Sequence, residues 1–254
     1  MNSKKTILGL AFLVCSLGSP LCVSRTYAQQ SNTALTANEE FIDSIKKGDL
    51  AKVRQMLKQD PSLIKATSKK GASAVLVAVY FRQKPIADLL LATGVELNIF
   101  EAAATGQLER VRELLKKNPE LVHAYSPDGW TPLHLNFGNV EIARLLIDSG
   151  ADINCVAKNK LVATPLQGAV VNKSIEVGRL LLARGANVNP KNDDGGNPLH
   201  EAAGDGQIDF AKLLLDHGAN INAKDDKGNT PLAIALEYKQ PEMAKLLRDH
   251  GAVQ

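Results

Sequence analysis

The feature that most limits what this chain can fold into is a step of 33 residues. Thr131-Pro132-Leu133-His134, Thr164-Pro165-Leu166-Gln167, Asn197-Pro198-Leu199-His200 and Thr230-Pro231-Leu232-Ala233 begin at 131, 164, 197 and 230. A second marker recurs downstream of each: Gly150-Ala151-Asp152-Ile153-Asn154, Gly185-Ala186-Asn187-Val188-Asn189, Gly218-Ala219-Asn220-Ile221-Asn222, and then Gly251-Ala252-Val253. A fixed period of this size marks an array of small units, each burying its apolar face against the next.

Elementary chemistry predicts the content of one unit. Thr, or Asn at 197, is a helix N-cap whose side-chain oxygen satisfies a free amide of the first turn. Proline follows at the first helical position, where its missing N–H costs nothing. His134, Gln167 and His200 stand three residues after the cap, placed to bond back to it. Small residues such as Ala202-Ala203 let neighbouring helices approach closely, and Gly206 ends a short first helix. Ile208, Ala211, Leu214 and Leu215 then recur at helical spacing, and Gly218 stops the second helix. The polar stretch Lys224-Asp225-Asp226-Lys227-Gly228 has the composition of a turn.

Over residues 126–254, period, caps and glycines together resemble the ankyrin repeat family, of which Thr-Pro-Leu-His is a signature. The resemblance implies an all-α solenoid, with short β-turn fingers and two antiparallel helices per unit, and a concave face that binds other proteins. Degenerate units extend it upstream. Gly71 to Asn98 keeps its cap at Ser73. Glu101 to Gly106 is a first helix without a finger. Glu39 to Ala66 ends in Asp60-Pro61-Ser62-Leu63-Ile64-Lys65-Ala66, an ending that recurs from Asn118 to Ala124. About seven repeats are predicted, occupying 38–254 after a polar leader at 29–37.

Residues 1–28 are predicted to be a secretory signal peptide. Lys4 and Lys5 precede an apolar run from Ile7 to Leu17, and Thr26-Tyr27-Ala28 stands before Gln29. The run is too short to span a bilayer, so stable membrane insertion after cleavage is not expected. The chain's formal charge of +3 hints at an anionic partner, but Lys4, Lys5 and Arg25 all lie in this segment, which contains no acidic residue. What remains is formally neutral and gives no support to nucleic-acid binding. Cys15 and Cys22 lie there too, leaving Cys155 alone, so no intramolecular disulfide is expected.

Two irregularities pick out candidate contacts. The unit beginning at Thr131 has a short first helix followed by a longer turn, in which Leu161 and Val162 stand where the family usually has polar residues and glycine. Two apolar residues on a projecting tip are a candidate contact site; the alternative is that they pack on Phe137. Trp130, the only tryptophan, occupies a position that in ankyrin-type proteins often faces the groove. Leu135, Asp194, Glu201 and Lys227 complete the protein-binding candidates. Tyr80 and Phe81 are expected in the core.

Searches for chemistry find little. There is no nucleophile elbow, phosphate loop or His-Glu-x-x-His helix. His134 and His200 are capping residues, His217 and His250 adjoin helix-ending glycines, and His123 lies in a linker. Asp193-Asp194 and Asp225-Asp226 are turn residues rather than a paired-carboxylate site. Asn172-Lys173-Ser174 is a formal glycosylation sequon. No cofactor and no metal are expected. The function expected is a monomeric, exported, non-enzymatic protein-binding scaffold, periplasmic or secreted. Secreted bacterial ankyrin proteins that this chain resembles are in some cases tied to oxidative-stress defence. Two alternatives are an immunity protein that blocks a toxic enzyme and, from another class, an enzyme using Cys155.

Overall fold

A computed structural model describes residues 36–253. The predicted signal peptide and all but the last two residues of the leader lie outside the described residues. The described residues are helical, with one isolated β-bridge between Thr67 and Ser73 and no strand among them. They fall into two compact units, one ending at Val95 and one beginning at Glu96.

The first unit contains two helix pairs. Thr36 caps α1 (Ala37–Lys47) in a full capping box with Glu39, and Gly48 ends the helix in the left-handed region. Asp49 caps α2 (Leu50–Gln59), and a 3-10 turn follows at Pro61–Lys65. Ser73 caps α3 (Ala74–Tyr80), which precedes α4 (Lys84–Leu91). Phe41, Ile45, Val53, Leu76, Ile86 and Leu90 form the core, and Tyr80 is buried with them. Phe81 is half-buried.

The second unit carries the periodic repeats. Its pairs are α5 (Ile99–Ala104) with α6 (Leu108–Lys117), and a 3-10 turn at His134–Asn136 with α7 (Val140–Asp148). Then come α8 (Pro165–Val171) with α9 (Ile175–Ala183), α10 (Pro198–Gly204) with α11 (Ile208–Asp216), and α12 (Pro231–Glu237) with α13 (Pro241–Asp249). Asn98, Thr164 and Asn197 build capping boxes with Glu101, Gln167 and His200. The short first helix expected after Thr131 is shorter still, a three-residue 3-10 turn closed by Phe137 in the left-handed region.

Adjacent pairs are tied by bonds that recur with the period. The Asn ending each Gly-Ala-x-x-Asn segment accepts an amide N–H from the next repeat: Asn187 N to Asn154 Oδ1 at 2.8 Å, Asn220 N to Asn189 Oδ1 at 2.8 Å and Val253 N to Asn222 Oδ1 at 2.9 Å. The glutamine before a second helix reaches back to the preceding first helix, as Gln207 Nε2 does to Val170 O (3.0 Å) and Gln240 Nε2 to Gly204 O (3.1 Å). The capping histidines reach forward. Nε2 of His134 bonds Ala163 O at 3.0 Å, and Nε2 of His200 bonds Asn229 O at 3.1 Å. His217 and His250 serve their own helix ends, bonding Leu213 O and Leu246 O through Nδ1.

Candidate protein-binding surface

The projecting fingers share one construction. A Ser, Asn or Asp opens each, and its side chain accepts backbone N–H groups inside the turn: Ser68 from Ala72, Ser126 from Trp130, Asn159 from Leu161, Asn192 from Asp194 and Gly196, and Asp225 from Lys227 and Asn229. Three residues on, the chain turns back with positive φ. Gly71, Gly129, Gly195 and Gly228 hold that position with φ from 73° to 88°. In the remaining finger it is Val162, at φ 50°. A β-branched side chain in the left-handed region costs roughly 1–2 kcal/mol relative to an ordinary conformation. The strained residue is also exposed at 41%.

Within the second unit consecutive fingers are joined by backbone bonds. Lys158 N donates to Gly129 O (2.8 Å), Asp193 N to Leu161 O (3.4 Å) and Asp226 N to Asp194 O (3.0 Å). This row carries four of the seven sequence-predicted residues, half-buried Leu161 and exposed Val162, Asp194 and Lys227, and half-buried Glu201 of α10 lies beside it, close enough to feel Asp193 and Asp194. Burial is the main cause that pushes the Glu201 carboxyl up to about 7, and the neighbouring carboxylates of Asp205, Asp194 and Asp193 add to it. Asp193 is raised in the same direction by burial and by Asp194. Lys173 lies 3.6 Å from Asp205. An apolar tip thus borders an acidic stretch, and Lys227 stands at the far end.

Trp130 and Leu135 belong elsewhere. Trp130 is 2% exposed and Leu135 1% exposed, so neither presents surface to a partner. The expectation that they line the groove is corrected: Trp130 stands at the repeat position of Ala163 and Gly196, which are buried too, and Leu135 is buried for a further reason. The first helix of their pair is a 3-10 turn, in which each residue advances about 120° rather than the 100° of an α-helix. Leu135 therefore rotates inward from the place Glu201 occupies in α10. The indole stands edge-on to the His134 ring, 5.3 Å between centroids, and supplies buried area that the truncated helix does not.

Besides Val253 at the end of the described residues, two exposed apolar residues carry no local signal in the sequence. Val156, 42% exposed, lies in the same long finger segment as Val162, and Tyr125 donates to its carbonyl at 3.2 Å. Leu236, 45% exposed, takes the place of fully buried Ala203 and Val170, one and two repeats back. The 33-residue alignment carries that equivalence, but only packing decides whether the position is covered.

Cys155 has the setting of a core thiol. It is 9% exposed, 3.4 Å from Thr131 Oγ1 and 3.8 Å from His134 Nδ1. Burial pushes the thiol up to about 11 and the imidazole down to about 4. A neutral thiol beside a neutral imidazole is neither an activated nucleophile nor a working base. Among the described residues no three His, Cys, Asp or Glu side chains are placed to hold a metal ion, and no helix is long and apolar enough to cross a membrane.

Paired short helices, turn fingers and period-locked bonds define a helical repeat protein of the interaction class. A family profile described as ankyrin repeats matches three times, over residues 75–157, 99–192 and 166–254. The chain belongs to the ankyrin repeat family, whose repeats serve as protein–protein interaction scaffolds. It is similar to ankyrin repeat and SAM domain-containing protein 6 of Rattus norvegicus, 33% identical over 152 residues that cover 59% of this chain and 14% of that protein. It is also similar to alpha-latrocrustotoxin-Lt1a of Latrodectus tredecimguttatus, 37% identical over 160 residues that cover 59% of this chain and 11% of the toxin. Against DNA-binding protein RFXANK of Homo sapiens it is 38% identical over 79 residues, 30% of each chain. The chain thus spans less than a third of these relatives.

Proposed function

We propose that this protein is an exported, monomeric scaffold of about seven ankyrin units that recognises another protein through its fingertips. Its setting is the periplasm or the extracellular space, and its role is that of an accessory factor in stress defence. The observation that carries the binding reading is the finger row of Leu161, Val162, Asp194 and Lys227, with Glu201 of α10 beside it. At its head an exposed valine holds a strained conformation that glycine adopts without strain in four other fingers. A preformed surface of this kind binds with little ordering cost. The export reading rests on the sequence of residues 1–28.

The test is a pull-down with the full chain against a Val162→Asp/Asp194→Lys variant that melts at the same temperature. A partner that the wild type captures and the variant loses supports the surface. A partner held equally by both overturns it. Capture of a toxic enzyme whose activity is thereby blocked would favour the inhibitor reading over the accessory one. N-terminal sequencing of the exported chain should begin at Gln29; an unprocessed N-terminus would refute cleavage there.

A further inference from the structure

The junction between the α8–α9 and α10–α11 pairs differs from its neighbours at two places. The first is the forward-reaching capping side chain. His134 and His200 each use one ring nitrogen for the cap and the other for a carbonyl of the next repeat. Gln167 stands at the same position. Its Oε1 accepts the Thr164 N–H at 2.9 Å, and its Nε2 is buried without a hydrogen-bond partner. The chemistry explains the loss. An imidazole carries its nitrogens on separate edges of a rigid ring, whereas a primary amide carries both heads on one carbon. Once Oε1 is committed to the cap, the direction of Nε2 is set. The Gly196 carbonyl, equivalent to Ala163 O and Asn229 O, goes without this bond.

The second place is the finger ladder. The bond crossing this junction, Asp193 N to Leu161 O, is 3.4 Å long, against 3.0 Å for its equivalent at the following junction, Asp226 N to Asp194 O. Both weakened contacts lie at the fingers and at the N-terminal ends of the first helices. At the C-terminal ends of those helices the junction is intact, with Gln207 Nε2 on Val170 O at 3.0 Å and Lys173 beside Asp205. Behind them the Phe210 ring lies so close over Gly178 that a Cβ there would come within 2.5 Å of it. The Asn189–Asn220 bond also remains.

We propose that this junction is the hinge of the periodic repeats: its finger side opens while the Val170–Gln207 and Gly178–Phe210 contacts act as the pivot. Opening changes the separation between the Leu161–Val162 tip and the Asp193–Asp194 tip. A partner that grips both tips would therefore close the hinge, although the hinge itself stands whether or not those tips bind. A buried unpartnered amide and a long bond at one edge lower the free energy of local opening there relative to neighbouring junctions.

Hydrogen exchange on the full chain tests this. The Asp193 amide should show protection about tenfold below that of Asp226, which makes the equivalent bond, and below that of Lys158, which ties the preceding pair of fingers. Gln167→His should raise Asp193 protection toward theirs and leave Lys158 and Asp226 unchanged. The mirror variant, His200→Gln, should transplant the defect and lower protection at Asp226. Equal protection of all three amides in the wild type overturns the hinge. So does a Gln167→His variant that leaves Asp193 unmoved, or a His200→Gln variant that leaves Asp226 unmoved.

Discussion

The repeat opened by Thr131 and the repeat opened by Asn197 begin with nearly the same four residues, Thr-Pro-Leu-His and Asn-Pro-Leu-His. In both, the histidine bonds its cap and a carbonyl of the next repeat. Beyond that point they diverge. After Asn197 the chain completes α10 and leaves Glu201 half-buried among carboxylates. After Thr131 it makes a 3-10 turn, buries Leu135 and sets the Trp130 ring edge-on to His134. The shared motif therefore governs the start of a helix and its tie to the next repeat. It does not govern which way the following side chains face.

The largest test of that contrast is in the core. Trp130→Ala should cost ~3–5 kcal/mol and Leu199→Ala ~2–5 kcal/mol in denaturant unfolding, because each empties a fully packed site. A Trp130→Ala variant of wild-type stability that only weakened binding would return the indole to the surface and erase the difference between the two repeats.

Buried groups in the two repeats should respond to pH in two senses: burial lowers His134 and His200 alike, whereas it raises Glu201. Burial holds the His134 imidazole at about 4, below its ordinary 6.5. Its Nδ1 faces the Thr131 N–H and hydroxyl, and protonation would set donor against donor. The stability it confers is complete above about 6.5 and is lost as pH falls toward 4, amounting to at most about 3 kcal/mol. Glu201 is raised to about 7, above its ordinary 4.5, so its effect runs the other way. Stability is complete below about 4.5 and declines as pH rises through 7. Unfolding curves from pH 4 to 8 should show His134→Gln flattening the acid side, and Glu201→Gln raising stability only on the neutral-to-alkaline side. Identical pH profiles for wild type and both variants would refute both assignments.

The smallest expected effect concerns the long finger that follows the Thr131 repeat. Val162→Gly removes left-handed strain and should stabilise the protein by about 1 kcal/mol, less the entropy cost of glycine. If Val162 is a contact, the same change should weaken partner binding as it raises the melting temperature. A variant that is more stable and binds equally well would leave the valine without a role at the tip.

How much was legible beforehand follows from the range of each interaction. Caps, prolines and helix-ending glycines act within a few residues, so Thr164, Asn197 and Thr230 announced their helices directly. The odd residue at position 162 was visible too, because four fingers with glycine at that point define what the fifth lacks. Leu135 is buried in a first helix that has lost two residues, and Trp130 is covered as Ala163 and Gly196 are at the same repeat position; neither outcome is encoded by a cap or a glycine. Val156 and Leu236 went unnoticed because exposure depends on what the adjacent repeat covers.

The sequence alone determined the period, the ankyrin family and the places where helices start and stop, since hydrogen-bonding chemistry within one repeat decides these. Only the tertiary structure decided that Trp130 and Cys155 are core, that Leu161, Val162, Asp194 and Lys227 lie along one row with Glu201 beside it, and that Gln167 leaves one tie of its junction unmade. Those outcomes depend on where neighbouring repeats place their carbonyls, rings and carboxylates, distances that no single repeat encodes.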